Sequence, residues 1–383
     1  MVVSIDKFWI EGLLISRYPK FLKDKGADLD SNGVIEGSEV FGDLNGDRVI
    51  GDQDYKEYLR RNRAILSEKI PFFKWGQRLS VDNRIHQLLY LESDLHPDTQ
   101  VQSAYTFIAD LVDEAKKRIG QRKLSPQEEG QVYYAVMRGA GILFKVQGHS
   151  LIGSIEKKQL KCDTSSFVAI AIGDETGLRF QLVRSPLHGF LRGKDSDGKE
   201  FNIDGGEITS NESYYKEYPY NNVDSKLVAR GGYLKTLDDS QLKGQFLFKR
   251  GIVLAEMGKK NEALAAYDEA IKIDPNYAEV HCGRGDALAY LGRNQEALAA
   301  YNKAIKINPN FAIAHNNRGV LFRKLGRNKK ALAAYHKAIK FNPNLAYVHY
   351  NRGLVLKKLG HHKEATGAFQ KSLQLGLVLE KRK

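Results

Sequence analysis

Residues 251–284 read GIVLAEMGKKNEALAAYDEAIKIDPNYAEVHCGR, and the next 34 residues, 285–318, read GDALAYLGRNQEALAAYNKAIKINPNFAIAHNNR. Laid over one another at that period, Gly251, Gly285, Gly319 and Gly353 coincide, with Ala263, Ala297, Ala331 and Ala365 twelve residues behind each. An aromatic follows at Tyr267, Tyr301, Tyr335 and Phe369, then a small residue at Ala270, Ala304, Ala338 and Ser372, and Pro275, Pro309 and Pro343 close the first three units. Small residues at the glycine and alanine positions let the two helices of a hairpin approach closely, the aromatic fills the space beside them, and proline cannot continue the second helix. A unit of this size cannot bury its apolar face alone, so the pattern predicts four stacked helical hairpins. The fourth unit has Leu377 in place of the proline, then runs through Val378 and Leu379 into Lys381-Arg382-Lys383, and reads as the capping unit.

On these residues, region 240–383 resembles the tetratricopeptide repeat, an all-α solenoid. The resemblance implies that an extended peptide lies along the concave face made by the first helix of each hairpin, and hence a protein or peptide partner. Arg250, Arg284, Arg318 and Arg352 recur just before each glycine, and His281, His315 and His349 three residues earlier. The arginine series reads either as packed stems or as a ladder of anion contacts. The carboxylate clamp of chaperone-tail binders is disfavoured, because the asparagine that it uses after the glycine is replaced by Ile252, Asp286, Val320 and Leu354.

Charge is unevenly placed along the 383 residues. Residues 301–383 hold 18 Lys and Arg against two Glu, a balance of +16, while the whole chain carries +13, so the first 300 residues are slightly acidic. A single-sign field in the last two repeats attracts an acidic protein segment, with nucleic acid the runner-up and anionic lipid a third case; a solvated face is the bland alternative. Apolar runs such as Phe167–Ile172 are far shorter than the ~18 residues that a membrane-crossing helix needs. Asp6 and Glu11 interrupt the apolar start, and Cys162 and Cys282 lie too far apart to suggest a disulfide framework, which points to the cytoplasm.

Residues 28–39, DLDSNGVIEGSE, set Asp28, Asp30 and Asn32 at alternate positions, then Gly33, the carbonyl of Val34 and a closing Glu39. Alternating oxygen ligands wrap a hard cation, glycine permits the sharp turn, and the last glutamate offers two oxygens, so the loop predicts bound Ca2+ of EF-hand type. Residues 43–54 repeat the pattern with Asp43, Asn45, Asp47, Val49 and Asp54, weakened by Arg48 at the turn glycine and the shorter Asp54. Only three residues separate the loops, as in the compact calcium modules that resemble dockerins, which implies a structural ion in a module over 1–67.

Region 68–239 reads as a separate α+β domain. It is helical to about 160, with Ser125-Pro126-Gln127-Glu128 as a capping box, and then turns to short alternating runs, read as a hairpin of two strands over FQLVR, HGFLR and EFNID. Cys162 opens an apolar helix with Phe167, Ile170 and Ala171 on one face, where the helix dipole favours thiolate. With a three- or five-residue loop His188 would face Asp204 across the pair, and Asn202 shares their parity. Over about 155–235 these residues resemble the transglutaminase-like superfamily with its papain-type core. The resemblance implies Cys162 as nucleophile, His188 as base and Asp204, or Asn202, as orienting group of a thiol hydrolase or acyltransferase. Leu160 departs from the glycine that many members carry two residues before the cysteine. The alternative is a non-enzymatic interaction scaffold retaining an inactive domain of that fold.

Overall fold

The computed structural model describes residues 78–79, 83–93, 95–122, 124–144, 150–160, 162–178, 180–185, 188–194, 200–204, 207–209, 233–234 and 236–376. The chain divides into two compact units, 1–83 and 84–383, and every element below belongs to the second. In chain order these are α1 (Ile85–Glu92), α2 (Asp98–Ile119), α3 (Pro126–Gly139), β1 (Leu143–Phe144), α4 (Leu151–Glu156), β2 (Gln159–Leu160), α5 (Cys162–Thr176), β3 (Gln181–Ser185), β4 (His188–Lys194), β5 (Glu200–Asp204) and β6 (Glu207–Thr209). Eight solenoid helices follow: α6 (Asp239–Glu256), α7 (Lys260–Ile273), α8 (Ala278–Tyr290), α9 (Asn294–Ile307), α10 (Ala312–Lys324), α11 (Asn328–Phe341), α12 (Ala346–Lys358) and α13 (His362–Gln374).

The middle region is built round α5. Phe167 through Ile172 are all buried, so this helix is enclosed on every side instead of presenting the single apolar face that its spacing suggests. It packs on α2 and α1 on one side and on β3 and β4 on the other. The Tyr133 hydroxyl of α3 donates to the Ser165 carbonyl at 3.0 Å. At the start of α3 the Ser125–Glu128 capping box forms as its sequence predicts, with Pro126 at the first helical position. The sheet is larger than the expected hairpin: β3-β4-β5-β6 is an antiparallel meander, and β1 and β2 make a separate two-residue parallel pair. The segment around Thr236 adds to the outer edge of β3, with Leu237 and Leu234 donating to the carbonyls of Leu182 and Arg184 at 2.8 Å each. Pairing over such short, non-local runs is set by the cover that α5 provides rather than by alternation alone.

The four hairpins are spaced by a steric constraint. A Cβ built on Gly251, Gly285, Gly319 or Gly353 would stand 2.4–2.7 Å from a ring carbon of Tyr267, Tyr301, Tyr335 or Phe369 in the second helix of the same hairpin. The turn inside each hairpin closes on a glycine with positive φ, Gly292 at 77° for example, and the next backbone N–H reaches back to the first helix, as Arg293 does to Leu288 at 2.9 Å. Between hairpins the chain is bracketed twice. Asp274, Asn308 and Asn342 each accept from the backbone N–H two residues on at 3.1 Å. His281, His315 and His349 each donate from Nε2 to the carbonyl of Pro275, Pro309 or Pro343 at 2.8–3.0 Å. The recurrent histidines are thus tethers of the repeat boundary, and burial holds His281 and His315 below the usual imidazole range, hence neutral at pH 7.

The middle region covers the first hairpin. Leu91 and Leu95 pack on the core that runs through the solenoid, and the Phe167 ring meets Phe246 edge-on at 4.7 Å. Arg84 forks onto Asp174 at 2.6 and 3.0 Å and reaches Asp239 at the start of α6 at 3.2 Å. A second junction is polar and buried: Arg184 of β3 donates to Asp274 at 2.6 Å with its guanidinium 3.8 Å above the Tyr277 ring. Beside it the Tyr233 hydroxyl donates to Glu279 at 2.9 Å, and Asn308 donates to Tyr233 at 3.4 Å.

Gly319→Ala should destabilise the protein by about 1–3 kcal/mol, because the Tyr335 ring is fully buried and cannot move aside. Gly367→Ala, a helical site with nothing within 4 Å, should stabilise by up to about 1 kcal/mol. Urea unfolding followed by circular dichroism separates the two, and equal effects would refute the steric account.

Candidate interaction groove

The first helices of successive hairpins, α6, α8, α10 and α12, touch one another directly and form the inner layer of the solenoid. Curvature of such stacks makes this layer the concave surface. Across it runs a directed chain of amides. Asn351 on α12 donates to Asn316 on α10 at 3.2 Å, Asn316 donates to its neighbour Asn317 at 2.9 Å, and Asn317 donates to Asp286 Oδ1 on α8 at 2.8 Å. The Tyr301 hydroxyl of α9 donates to the same Oδ1 at 2.7 Å. Three hairpins are thereby joined by one polarised line that terminates on a carboxylate, and each donor strengthens the next.

Asp286 is the sequence's replacement for the clamp asparagine, and its setting is unusual for an acid. The side chain reaches solvent in the groove, yet protein surrounds it closely enough to push its pKa up to about 6, against the two hydrogen bonds and the more distant Lys260. Among the described residues Oδ2 has no hydrogen bond and no ion pair within 4 Å. Lys260 does not pair with it: its ammonium donates to the Ala255 carbonyl and lies 4.7 Å from the Tyr290 ring centroid. Cys282, one turn before Asp286, is buried, and burial raises its thiol well above the usual range, so it is an inert part of the groove floor.

The basic character of the last two repeats is divided between two surfaces. Lys329, Lys330, Lys337, Lys340, Lys363 and Lys371 lie on the second, outer helices. On the inner layer Arg323-Lys324 and Lys357-Lys358 fill the last turns of α10 and α12, where repeats one and two have Ala255-Glu256 and Ala289-Tyr290. Lys357 and Lys358 are exposed, and among the described residues neither has a carboxylate within 4 Å. The four recurrent arginines do not extend this row. Arg284 bonds Asp268 at 2.6 Å and Arg318 bonds Asn302 at 2.8 Å, each sixteen residues earlier on the preceding outer helix, while Arg250 bonds the Leu91 carbonyl. These three bracket neighbouring elements, as stems packed between repeats do, while Arg352 Nε is buried with no hydrogen bond among the described residues.

Of the residues singled out for thiol chemistry, Cys162 opens α5, His188 opens β4 and Asp204 closes β5; their side chains lie outside the described residues. The β4–β5 ladder pairs Arg192 with Asn202 and Lys194 with Glu200. Extended back along β4, this register sets His188 two positions away from the point opposite Asp204, with the same parity, so the direct facing expected from a three- or five-residue loop does not occur. Asn202 is buried and its Oδ1 accepts from Arg192 Nε at 2.9 Å, which commits its amide to the sheet. The calcium-loop residues Asp28, Asp30, Asn32, Val34, Glu39, Asp43, Asn45, Asp47, Val49 and Asp54 lie outside the described residues.

The glycine–aromatic contacts repeat at the period that the family comparison reads. Residues 251–292, 285–326 and 320–360 match the TPR repeat family, and 346–375 match the tetratricopeptide repeat. Residues 251–375 are tetratricopeptide repeats. Solved structures with similarity to the chain include a crystal structure of MamA, 27% identical over 34% of this chain and 77% of that one with a TM-score of 0.33. MamA 41-end from Desulfovibrio magneticus RS-1 is 24% identical over 34% and 75%, at 0.32, and the Arabidopsis OM64 TPR domain is 25% identical over 32% and 98%, at 0.30. No curated protein matches the chain. Tetratricopeptide repeats imply protein partners, and no helix among the described residues is long and apolar enough to cross a membrane.

An acid whose pKa is higher folded than unfolded binds its proton more tightly in the native state, so its contribution to stability falls as pH rises from about 4 to about 6 and stays lost above that. Asp286→Asn keeps an oxygen acceptor for Tyr301 and Asn317 without the charge. It should therefore raise the melting temperature at pH 7.5, on the order of 2 °C, with the advantage shrinking through pH 6 and gone by pH 4. Scanning calorimetry across that range decides it, and a variant that melts below wild type at pH 7.5 refutes the assignment.

Proposed function

We propose that this protein is an interaction scaffold whose tetratricopeptide groove takes an extended, acidic segment of a partner protein over repeats three and four. The observation that carries this reading is the exposed Lys357-Lys358 pair on the last turn of α12, which among the described residues has no carboxylate within 4 Å; Tyr347, about three turns earlier on the same helix, exposes its ring. Extended segments suit such a surface because their side chains alternate between neighbouring inner helices while the backbone stays accessible to side-chain amides. Charge attracts and aligns the segment, and the aromatic ring supplies contact area with little ordering cost.

The test uses the full chain and fluorescein-labelled peptides of one Gly/Ser frame carrying either four glutamates or four glutamines, followed by anisotropy at low salt. The glutamate peptide should bind roughly tenfold or more tightly than the glutamine peptide, and Lys357→Glu/Lys358→Glu should remove the difference. Equal binding of the two peptides would dispose of the proposal. A labelled single strand of DNA included in parallel separates the nucleic-acid reading: a phosphate partner would outbind the glutamate peptide and lose affinity steeply between 50 and 200 mM salt.

A second reading, thiol hydrolysis or acyl transfer by the middle region, has one observation in its favour. Cys162 is the first residue of the 15-residue α5, where the helix dipole stabilises a thiolate. Alkylation by iodoacetamide at pH 6, mapped by mass spectrometry, should label Cys162 and leave Cys282 unlabelled on that reading. An unreactive Cys162 would leave the scaffold as the only function.

A further inference from the structure

The inner layer changes sign along its length. On α8, Asp286 has one oxygen occupied by Tyr301 and Asn317 and, among the described residues, no hydrogen-bond partner on the other, while Glu279 on the same helix is buried against Tyr233. Repeats three and four offer Arg323-Lys324 and Lys357-Lys358. Asn351, Asn316 and Asn317 form one hydrogen-bonded line across the inner helices that ends on Asp286. The order of the amides matters: every N–H points toward repeat two, so the chain stabilises negative charge at Asp286 and no other charge along its length. Burial raises the Asp286 pKa, and among the described residues the carboxylate has no counter-ion within 4 Å, so its second oxygen is open to a cation from outside.

We infer that the groove selects a dipolar segment, with an acidic run seated on the lysines and arginine of repeats three and four and a lysine or arginine of the same segment paired with the free Oδ2 of Asp286. This rests on the proposed acidic occupant and adds to it the residue that sets register along the groove. Neighbouring inner helices lie ~10 Å apart and an extended chain advances ~3.3 Å per residue, so the cation belongs about three to six residues from the acidic run. A uniformly acidic segment would bring like charge to Asp286 and be held off repeat two. A uniformly basic one would meet the cations of repeats three and four. Only a segment carrying both signs in the right order satisfies the whole floor, which is how charge placement excludes wrong partners as well as attracting right ones.

The groups that face Asp286 are Lys260 and Tyr267 on α7, Cys282 on its own helix, Tyr301 on α9, Asn317 on α10 and Tyr347 on α12. Of these only the carboxyl changes charge between pH 5 and 7.5, so the contribution of a cation in the segment must fade as pH is lowered through about 6. His281 and His315 face proline carbonyls, and any effect of theirs acts equally on peptides that differ only in the cation.

The experiment takes the tetraglutamate peptide of the preceding section and adds, four residues before or four residues after the glutamates, either lysine or its uncharged isostere norleucine. With the full-length protein at pH 7.5, lysine should bind about fivefold or more tightly than norleucine in one of the two orders and not in the other. That ratio should fall to one in Asp286→Asn, and should fall in wild type at pH 5. A ratio of one in both orders, or a ratio that survives Asp286→Asn, overturns the inference while leaving the acidic occupant standing. Failure of the glutamate peptides to bind at all overturns both.

Discussion

The absence of a Cβ at Gly251, Gly285, Gly319 and Gly353 is what the rest of the solenoid depends on. Each glycine lets an aromatic ring of the second helix lie against the backbone of the first, and that contact sets the width of every hairpin. Equal widths let successive hairpins stack at the same offset, so that first helices meet first helices and the inner layer becomes continuous. Continuity in turn lets amides on α10 and α12 reach across to Asp286 on α8. A stack of this kind also has two raw ends, since no unit buries its own apolar face. Leu91 of α1 and Leu95 just after it cover one of them, and α13, the last described helix, leaves most of its residues exposed.

Stability and recognition pull in opposite directions at a single position. Several buried polar groups find partners, the histidine Nε2 atoms on proline carbonyls, one Arg184 nitrogen on Asp274 and the Tyr233 hydroxyl on Glu279. Asp286 is answered on one oxygen only, inside a crowded groove that disfavours its charge. An asparagine there would complete the same amide line at lower cost in folding free energy. What the aspartate adds is a negative charge in place of an amide, with one oxygen that has no hydrogen bond among the described residues.

How much of this was legible in the sequence follows from whether the causes are local. The hairpin period, the aromatic opposite each glycine and the Ser125 capping box depend on residues within one unit, and the structure bears them out. The roles of the recurrent histidines and arginines were not legible, although a signal existed: each histidine stands six residues after a proline, and Arg284 and Arg318 stand sixteen after Asp268 and Asn302. The sheet was undercounted because β6 is three residues long after two glycines and the edge segment near Thr236 is separated from β3 by some fifty residues. Asn316, Asn317 and Asn351 read as ordinary polar helix residues until the stacking brings three hairpins together. The register of β4 and β5 turned on where the loop begins, a one-residue matter that alternation cannot decide, and the calcium pattern of 28–54 rests on sequence alone.

The Arg184–Asp274 and Tyr233–Glu279 junction has a mechanical meaning. Asp274 ends α7 and Glu279 lies in the first turn of α8, the helix that carries Asp286, so the groove floor and the β-sheet share their anchoring points. A load on α8 is therefore passed through Asp274 and Glu279 to β3 and to the segment that carries Tyr233.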